Sequence, residues 1–256
     1  MQSRSEVINL YYWEHPPQSL APENIRPKNR LTNSSPFDEV LQKSQNIDMY
    51  KKISTGLITL SFLLGAYAYT ILPEKIVSHW NIYGNPDGYM SKFWGAFLMP
   101  IIGLVVYLFL RFMYKIDPLK ENLQKFHKKF EQFMTVFIGF LLYLYLLTIL
   151  WNTGIEFDII SALLPGFSIF FYFVGDLVQH SKRNWMIGIR TSWSMQSDEI
   201  WDKTNKLAGK MFRWSAVIIL IGIFFQPIAF YLTIISIFAS AIYPAIYSYQ
   251  LYKKSK

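Results

Sequence analysis

The sequence predicts an all-α integral membrane protein with six transmembrane helices, cytoplasmic termini and a small extracellular hairpin-like loop between helices 1 and 2. Apolar residues make up 52% of the 256 residues and occur in long blocks. Only 16% of the residues are charged, against about a quarter in soluble domains. Basic residues are concentrated in alternate connections between the blocks. These three observations together predict a multi-pass protein of the cell membrane.

Five apolar blocks have about the 20 helical residues that are needed to cross roughly 30 Å of hydrocarbon. They are Ile53–Leu72, Phe93–Tyr114, Phe133–Trp151, Ile159–Val178 and Pro227–Tyr249. A sixth block, Trp214–Phe225, is shorter. It becomes long enough if its helix begins near Asp198, because Ser197 is a suitable N-cap and Glu199 would join Asp198 in the first turn.

This sixth-block helix, from about Asp198 to Phe225, has two predicted faces. One face carries residues at helical spacing, namely Trp201, Asn205, Ala208 and Phe212. The other face carries Lys203, Lys206, Lys210 and Arg213. Two acid-before-base pairs four residues apart, Glu199 with Lys203 and Asp202 with Lys206, favour the helix. We expect the basic stripe to lie at the depth of the lipid headgroups, where lysine and arginine keep their charges in water.

The distribution of lysine and arginine predicts the orientation. Of the 25 basic residues, 23 lie in both terminal tails and in two connections, Arg111–Glu131 and Lys182–Arg213. The remaining connections contain only Lys75 and Lys92. Because basic loops stay in the cytoplasm, both termini are predicted inside. The connections predicted outside are Pro73–Lys92, Asn152–Asp158 and the turn near Gln226-Pro227.

The chain divides into three predicted parts. Residues 1–50 form a polar cytoplasmic tail, rich in Pro, Asn and Ser, that is expected to be poorly ordered and has no cleavable signal peptide. Residues 51–114 contain the first two transmembrane helices and the outer loop 73–92. Residues 115–256 contain the other four helices and a cytoplasmic motif at 180–213. "YYWEH" in the tail is either a short binding motif or a segment buried against the body.

The outer loop has the composition of a hairpin. Its strand-favouring residues are Ile76, Val77, Trp80, Ile82 and Tyr83. Asn85-Pro86-Asp87-Gly88 is a strong turn signal. The candidate recognition residues are His79, Trp80, Asn81, Tyr83 and Gly84. His79 has no second histidine on its predicted side, so a structural or recognition role is expected. Trp80 and Tyr83 are either aromatics of the membrane interface or a grip for a partner.

No residue pattern in the sequence predicts catalysis. The chain has no cysteine, and it has no P-loop, dinucleotide-binding fingerprint, zincin helix or Ser/His/Asp set. The predicted spans also lack the paired acids and bases of a proton relay. We therefore expect no enzyme activity and no catalytic, metal-binding or cofactor-binding residue. Because the basic residues follow the membrane topology, neither nucleic acid nor anionic lipid is expected as a specific partner.

The segment "NWMIGIRTSWSMQSDEIW", Asn184–Trp201, is the most specific polar stretch. Gly188 permits a tight bend, and Arg190 can bind carbonyl groups at a helix end or pair with Asp176. Its three tryptophans can hold the loop against the inner interface. Asp176 lies near the inner end of the fourth span, where an acid is a candidate functional group, although snorkelling or helix capping is favoured. The motif either locks the bundle or docks a partner.

Two stretches resemble a known family. The segment from Asn184 to Phe212 resembles the signature of the SdpI family, and the matching residues are Asn184, Gly188, Ile189, Arg190, Thr191, Trp193, Trp201, Thr204, Asn205 and Gly209. The closing "YPAIYSYQLYKK" is also similar to that family. The outer loop resembles a module of unknown function that commonly precedes the SdpI part, through Pro73, His79, Asn81, Gly84, Asp87 and Gly88. Ser192 stands where the family often has Pro, and Asp176 where it often has Asn.

The resemblance covers about Ile53 to Lys254 and implies immunity to an SdpC-type toxin. Its candidate partners are the lipid bilayer, a peptide toxin on the outer side and a cytoplasmic regulator; the oligomeric state is left open. The leading hypothesis is an immunity protein that neutralises a membrane-active peptide without catalysis. The alternative is a signalling scaffold that holds a transcriptional regulator at the membrane. A small-solute transporter is less favoured, because no inverted repeat is detectable and intramembrane charges are few.

Overall fold

A computed structural model describes residues 36–225 and 228–256. The helices are α1 (Pro36–Ile71), α2 (Lys92–Ile116), α3 (Lys120–Lys125), α4 (His127–Asn152), α5 (Ile159–His180), α6 (Asp198–Ile221) and α7 (Ala229–Lys254). The strands are β1 (Lys75–Trp80) and β2 (Pro86–Ser91). A 3₁₀ turn, Gly222–Phe224, extends α6. The "YYWEH" segment and the Gln226-Pro227 turn lie outside the described residues.

Within residues 36–225 and 228–256, six helices are long and apolar enough to cross a membrane, which confirms the predicted multi-pass class. Their spans are Ser44–Ile71, Lys92–Ile116, His127–Asn152, Ile159–His180, Asp198–Phe224 and Ala229–Lys254. The short Trp214–Phe225 block is the end of a longer helix, as predicted. The Ser197 hydroxyl caps that helix by accepting a hydrogen bond from the Ile200 amide. Which side of the membrane each end faces stays a prediction.

Two predicted boundaries differ from the fold. α1 begins at Pro36, upstream of the tail boundary predicted at residue 50. Proline is favoured in the first turn, and no glycine or second proline interrupts the sequence before Gly56. The predicted Arg111–Glu131 connection is largely helical, because α2, α3 and the start of α4 occupy most of it. The charged residues of this connection therefore lie mainly in helices, whereas their clustering predicts a loop.

The predicted hairpin is present, but its turn lies earlier in the chain than predicted. Pro86, Asp87 and Gly88, which were predicted to form the turn, lie in β2, whereas Ile82 and Tyr83, which were predicted to favour strand, form the turn. β1 and β2 pair antiparallel, with Lys75 opposite Ser91 and Trp80 opposite Pro86. Ile76 of β1 is buried and lies against Gly95 of α2. A Cβ atom added to Gly95 would lie 1.8 Å from Cδ1 of Ile76. The hairpin therefore packs directly on the start of α2.

The helices form two layers that meet at α4 and α5. α1 and α2 pack on α4, whereas α7 packs on α6 and α6 packs on α5. The hairpin lies at one end of this bundle, which we call the hairpin end. The α5–α6 connection lies at the opposite end, which we call the motif end. The connection between α2 and α4 lies there too, because the Asn122 side chain donates to the Arg183 carbonyl.

Phenylalanine rings form the contact between α4 and α5. Phe140 stacks on Phe170 with their centroids 4.7 Å apart, and Phe137 lies 5.2 Å from the same ring. A polar contact lies at each end of this aromatic interface. Lys129 Nζ lies 2.8 Å from Asp176 at the motif end, and the Tyr143 hydroxyl donates to the Ala162 carbonyl at 2.5 Å toward the hairpin end. The two layers are therefore fastened at both ends.

α5 and α6 approach each other at two glycines. A Cβ atom on Gly175 would lie 2.6 Å from the carbonyl oxygen of Gly209, and one on Gly209 would lie 2.5 Å from that of Gly175. Contacts this close between small residues let two helix backbones meet in a membrane. Gly209, predicted as a family-motif residue, is therefore a packing residue in this fold.

Candidate functional site

The connection between α5 and α6 is built around the buried side chain of Asn184. Its Oδ1 atom accepts hydrogen bonds from the amides of Met186 and Ile187, each at 2.7 Å. Its Nδ2 atom donates to the carbonyls of Lys182 and Ile187 at 2.7 and 3.0 Å. An asparagine amide has two donors and one carbonyl acceptor, so Asn184 uses all of them to fold the segment back on itself.

Gly188 lies where this segment meets the buried face of α6. Its φ is +117°, a conformation that favours glycine. A Cβ atom there would lie 2.6 Å from Asn205 Oδ1 and 2.9 Å from the Trp201 ring. Asn205 Oδ1 accepts the Ile189 amide at 2.7 Å, and Trp201 Nε1 donates to the Ser181 carbonyl at 3.0 Å. Trp201 and Asn205 are buried, as their predicted common face with Ala208 requires.

A second turn attaches the motif to α7. The Thr191 and Ser194 side chains each accept the other residue's amide at 2.9 Å. The Thr191 hydroxyl also lies 2.7 Å from that of Ser248, and the Trp193 ring lies 4.9 Å from the Tyr249 ring. Thr191 and Trp193 therefore connect the motif to the last helix.

The motif is also attached to the connection after α2. Buried Asp117 accepts the Trp185 amide at 2.9 Å and the Leu119 amide at 2.7 Å. Together with the Asn122–Arg183 contact, this bond joins the first and second layers at the motif end. Asp117 was not identified from the sequence, because its partner amide is 68 residues away.

The predicted pair between Arg190 and Asp176 is wrong. Asp176 lies 2.8 Å from Lys129 and 3.4 Å from His180, one turn further along α5. Arg190 is exposed, and its guanidinium donates to the Trp185 carbonyl. The alternative prediction, that Arg190 binds carbonyls at a helix end, is met only in that its partner is a backbone carbonyl, because Trp185 lies beyond the end of α5 at His180. The cation that pairs with Asp176 is Lys129, which lies in the first turns of α4 and not in the loop that the sequence predicted there.

α2 and α4 form a buried polar cluster near the motif end that the sequence did not predict. Glu131 is fully buried, and both of its oxygens accept from the Arg111 guanidinium. The His127 Nε2 atom lies 3.2 Å from Glu131, and its Nδ1 atom lies 2.6 Å from the Tyr114 hydroxyl. The Tyr107 hydroxyl also contacts Arg111 at 3.2 Å. This cluster corrects the expectation that the spans lack paired acids and bases, since α2 and α4 bring them together.

Most predicted motif residues therefore hold the bundle together. Asn184, Trp201, Thr204 and Asn205 are buried, and the Thr204 hydroxyl has no hydrogen-bond partner among residues 36–225 and 228–256. Within Asn184–Trp201 the exposed residues are Trp185, Arg190, Ser192, Gln196, Asp198 and Glu199. Trp185 is 54% exposed. A partner that docks on the motif would contact this exposed set.

The recognition candidates of the hairpin have different environments. The Asn81 side chain accepts the amides of Tyr83 and Asn85 at 2.9 and 3.1 Å, which shapes the turn. Gly84 follows with φ +79°. Tyr83 is 72% exposed at the tip of this turn. Asn81 and Gly84 therefore position Tyr83, whose ring is free to contact a partner.

The other two hairpin candidates have partners within the protein. His79 Nδ1 lies 2.5 Å from Asp87 across the two strands. Trp80 packs edge-on against Trp151 of α4 at 5.6 Å between centroids. Within the part of the chain that the structure describes, no group of three or more His, Asp or Glu side chains is placed to hold a metal ion. The hairpin presents an aromatic surface held in place by polar side chains.

Two family models match the chain, one over the motif and one over the hairpin. Residues 181–248 match the model of the SdpI/YfhL protein family, and residues 56–104 match a domain of unknown function, DUF1648. The chain is 29% identical over 204 residues to the immunity protein SdpI of Bacillus subtilis (strain 168), across 79% of this chain and 95% of that protein. No solved structure matches the chain.

Proposed function

Because the chain belongs to the SdpI/YfhL family, with the module of unknown function before it, we propose that it is a membrane immunity protein that neutralises a membrane-active peptide toxin. The near-complete coverage of the Bacillus subtilis immunity protein carries this proposal. Six transmembrane spans are consistent with action within the bilayer. Binding of the peptide, without a chemical step, is the proposed means of protection.

The hairpin end is the proposed site of toxin contact. The exposed tyrosines of the hairpin are Tyr83 and Tyr89, and Lys75 lies over the Tyr89 ring at 4.7 Å. Aromatic side chains contribute large contact area to interfaces and are enriched in binding hot spots. The proposed orientation places this end outside the cell, because only Lys75 and Lys92 mark the connections on that side. A peptide that attacks from outside would meet this surface first.

The experiment is the growth of a toxin-sensitive host challenged with an SdpC-type peptide. Cells that express the chain should grow where cells with an empty vector do not, and a blot of the membrane fraction should report equal expression among all compared variants. Growth that equals the empty vector, despite normal membrane expression, would reject immunity to this class of toxin.

The second candidate is a signalling scaffold at the motif end. The observation that favours it is the exposed Trp185 beside the exposed Arg190, since tryptophan and arginine are the residue types most enriched in interface hot spots. In this case a cytoplasmic regulator would bind the exposed surface of the motif. A reporter gene controlled by that regulator would then lose its response when Trp185 is changed, while protection from toxin would persist.

A further inference from the structure

The exposed side of α6 changes from basic to apolar within three helical turns. Lys206, Lys210, Trp214 and Ile218 are four residues apart from one to the next, so they follow one another along the helix surface. All four are exposed, and Trp214 is exposed by 68%. The order along α6 is therefore two ammonium groups, an indole ring and an aliphatic side chain.

The two lysines have no acidic partner. The acids in the first turns of α6 are already paired: Glu199 with Lys203 at 2.6 Å and Asp202 with Lys182 at 2.8 Å. After Asp202 the sequence contains no Asp or Glu. Among residues 36–225 and 228–256, neither Lys206 nor Lys210 has a hydrogen bond or ion pair. The positive charge of this surface is therefore available to an anion from outside the protein.

We propose that Lys206, Lys210 and Trp214 bind the headgroup of an anionic phospholipid. At 1.5 Å per residue the two lysines are about 6 Å apart along the helix axis, close to the roughly 5–8 Å thickness of one headgroup layer. Their ammonium groups would contact the phosphate, and Trp214 would lie at the interface, where tryptophan is enriched. Ile218 would continue the surface along the acyl chains.

The continuity of this surface identifies a lipid rather than a soluble anion as the ligand. A free phosphate would contact the lysines alone, whereas a phospholipid also contacts the indole and the aliphatic side chain. The site does not depend on the proposed immunity function, because it is defined by the bilayer and not by a toxin.

The test compares lipid binding by three forms of the full-length protein purified in detergent. They are the wild type, Lys206→Gln/Lys210→Gln, and the control Lys253→Gln/Lys254→Gln, which removes two exposed charges at the end of α7. Native mass spectrometry would measure bound phosphatidylglycerol and phosphatidylcholine at equal lipid concentrations. Inorganic phosphate, added in excess, would test whether the headgroup phosphate alone competes.

We expect the wild type to bind phosphatidylglycerol more tightly than phosphatidylcholine. Each lysine near an anionic lipid surface strengthens binding roughly fivefold, so the α6 double variant, which removes two, should lose about 25-fold of its affinity for phosphatidylglycerol. The control variant should keep its affinity, and excess phosphate should not displace the lipid. An equal loss in both variants, equal binding of both lipids or displacement by phosphate would each overturn the proposal. The melting temperature without added lipid should be unchanged in both variants.

Discussion

The side-chain amide of Asn152 forms two hydrogen bonds with the backbone of Val77. Its Oδ1 atom accepts the Val77 amide at 2.7 Å, and its Nδ2 atom donates to the Val77 carbonyl at 2.9 Å. The end of α4 therefore pairs with β1 as a neighbouring strand would. These bonds attach the hairpin to α4. At its other end, α4 contacts α5 through the Lys129–Asp176 ion pair.

Asn152→Ala should loosen the hairpin without unfolding the bundle. A buried backbone group that loses its partner costs about 1–3 kcal/mol, so amide hydrogen exchange in β1 should accelerate by roughly 10- to 100-fold. Thr153→Ala is the matched control, because the Thr153 hydroxyl donates only to the Leu150 carbonyl in an exposed position. Equal exchange rates in the two variants would show that Asn152 does not hold the hairpin.

Glu131→Gln should destabilise the fold strongly. The change leaves the Arg111 guanidinium partly buried without its carboxylate, and breaking a buried ion pair by removing one partner costs about 3–5 kcal/mol. The melting temperature in detergent, read by fluorescence-detected gel filtration, should fall well below that of Glu121→Gln, which alters an exposed acid in α3. Adding Arg111→Gln to Glu131→Gln should recover part of the loss, since both charges are then absent. A single variant as stable as the Glu121 control would contradict the assigned role.

Gly188→Ala should destabilise the motif more than Gly154→Ala destabilises the α4–α5 connection. Both glycines have positive φ, +117° and +92°, so both variants carry backbone strain of about 1–3 kcal/mol. A Cβ atom on Gly154 meets nothing within 4 Å, whereas one on Gly188 meets Asn205 and Trp201. Overpacking should add roughly 1–3 kcal/mol at Gly188 alone. The two melting temperatures measure that difference, and equal values would mean that the site relaxes around the methyl group.

The orientation can be measured with single cysteines, because the chain has none of its own. A cysteine at Asn85 in the hairpin should react with an impermeant maleimide on intact cells. One at Gln196 in the motif should react only after permeabilisation, since the basic motif end is predicted inside. Both positions are exposed. The reverse pattern would invert the topology and place the motif outside.

The proposed toxin contact predicts that substitutions of two exposed aromatic residues, Tyr83 and Trp185, have different effects on protection. Tyr83→Ala should reduce growth under toxin challenge at unchanged membrane expression, because Tyr83 is 72% exposed and its removal should leave the fold intact. Trp185→Ala at the opposite end should leave protection intact. If Trp185→Ala removes protection and Tyr83→Ala does not, the scaffold function becomes the better explanation. Trp80 is a poorer probe, because its contact with Trp151 mixes binding with stability.

The elements that the sequence predicted are those whose signals lie within a few residues of one another. The strand-favouring residues Ile76, Val77 and Trp80 predicted the first strand of the hairpin, and Ser197 with its following acids predicted the start of α6. The bend at Gly188 also followed from its residue type. These features depend on neighbouring residues, so a single sequence contains the necessary information.

The missed contacts all join residues that are distant in sequence. Glu131 and Arg111 were assigned to one loop, although they lie on two helices and neutralise each other. Asp176 was assigned to Arg190, because Lys129 on α4 was placed outside the helix. Charge near a span predicts its sidedness, but the partner of each charge depends on how the helices pack.

The contact between Gly175 and Gly209 has a mechanical consequence. Two backbones that already touch cannot move closer, and sliding one along the other would force a carbonyl against the Gln179 or Arg213 side chain beside it. We therefore expect α5 and α6 to move together in any change of shape. The easier hinge is the interface of α4 and α5, where phenylalanine rings can shift past one another. Separation there would break the Lys129–Asp176 and Tyr143–Ala162 bonds, together with the Asp117–Trp185 and Asn122–Arg183 bonds at the motif end. A change of shape in this protein would begin as a separation of its two layers at that line.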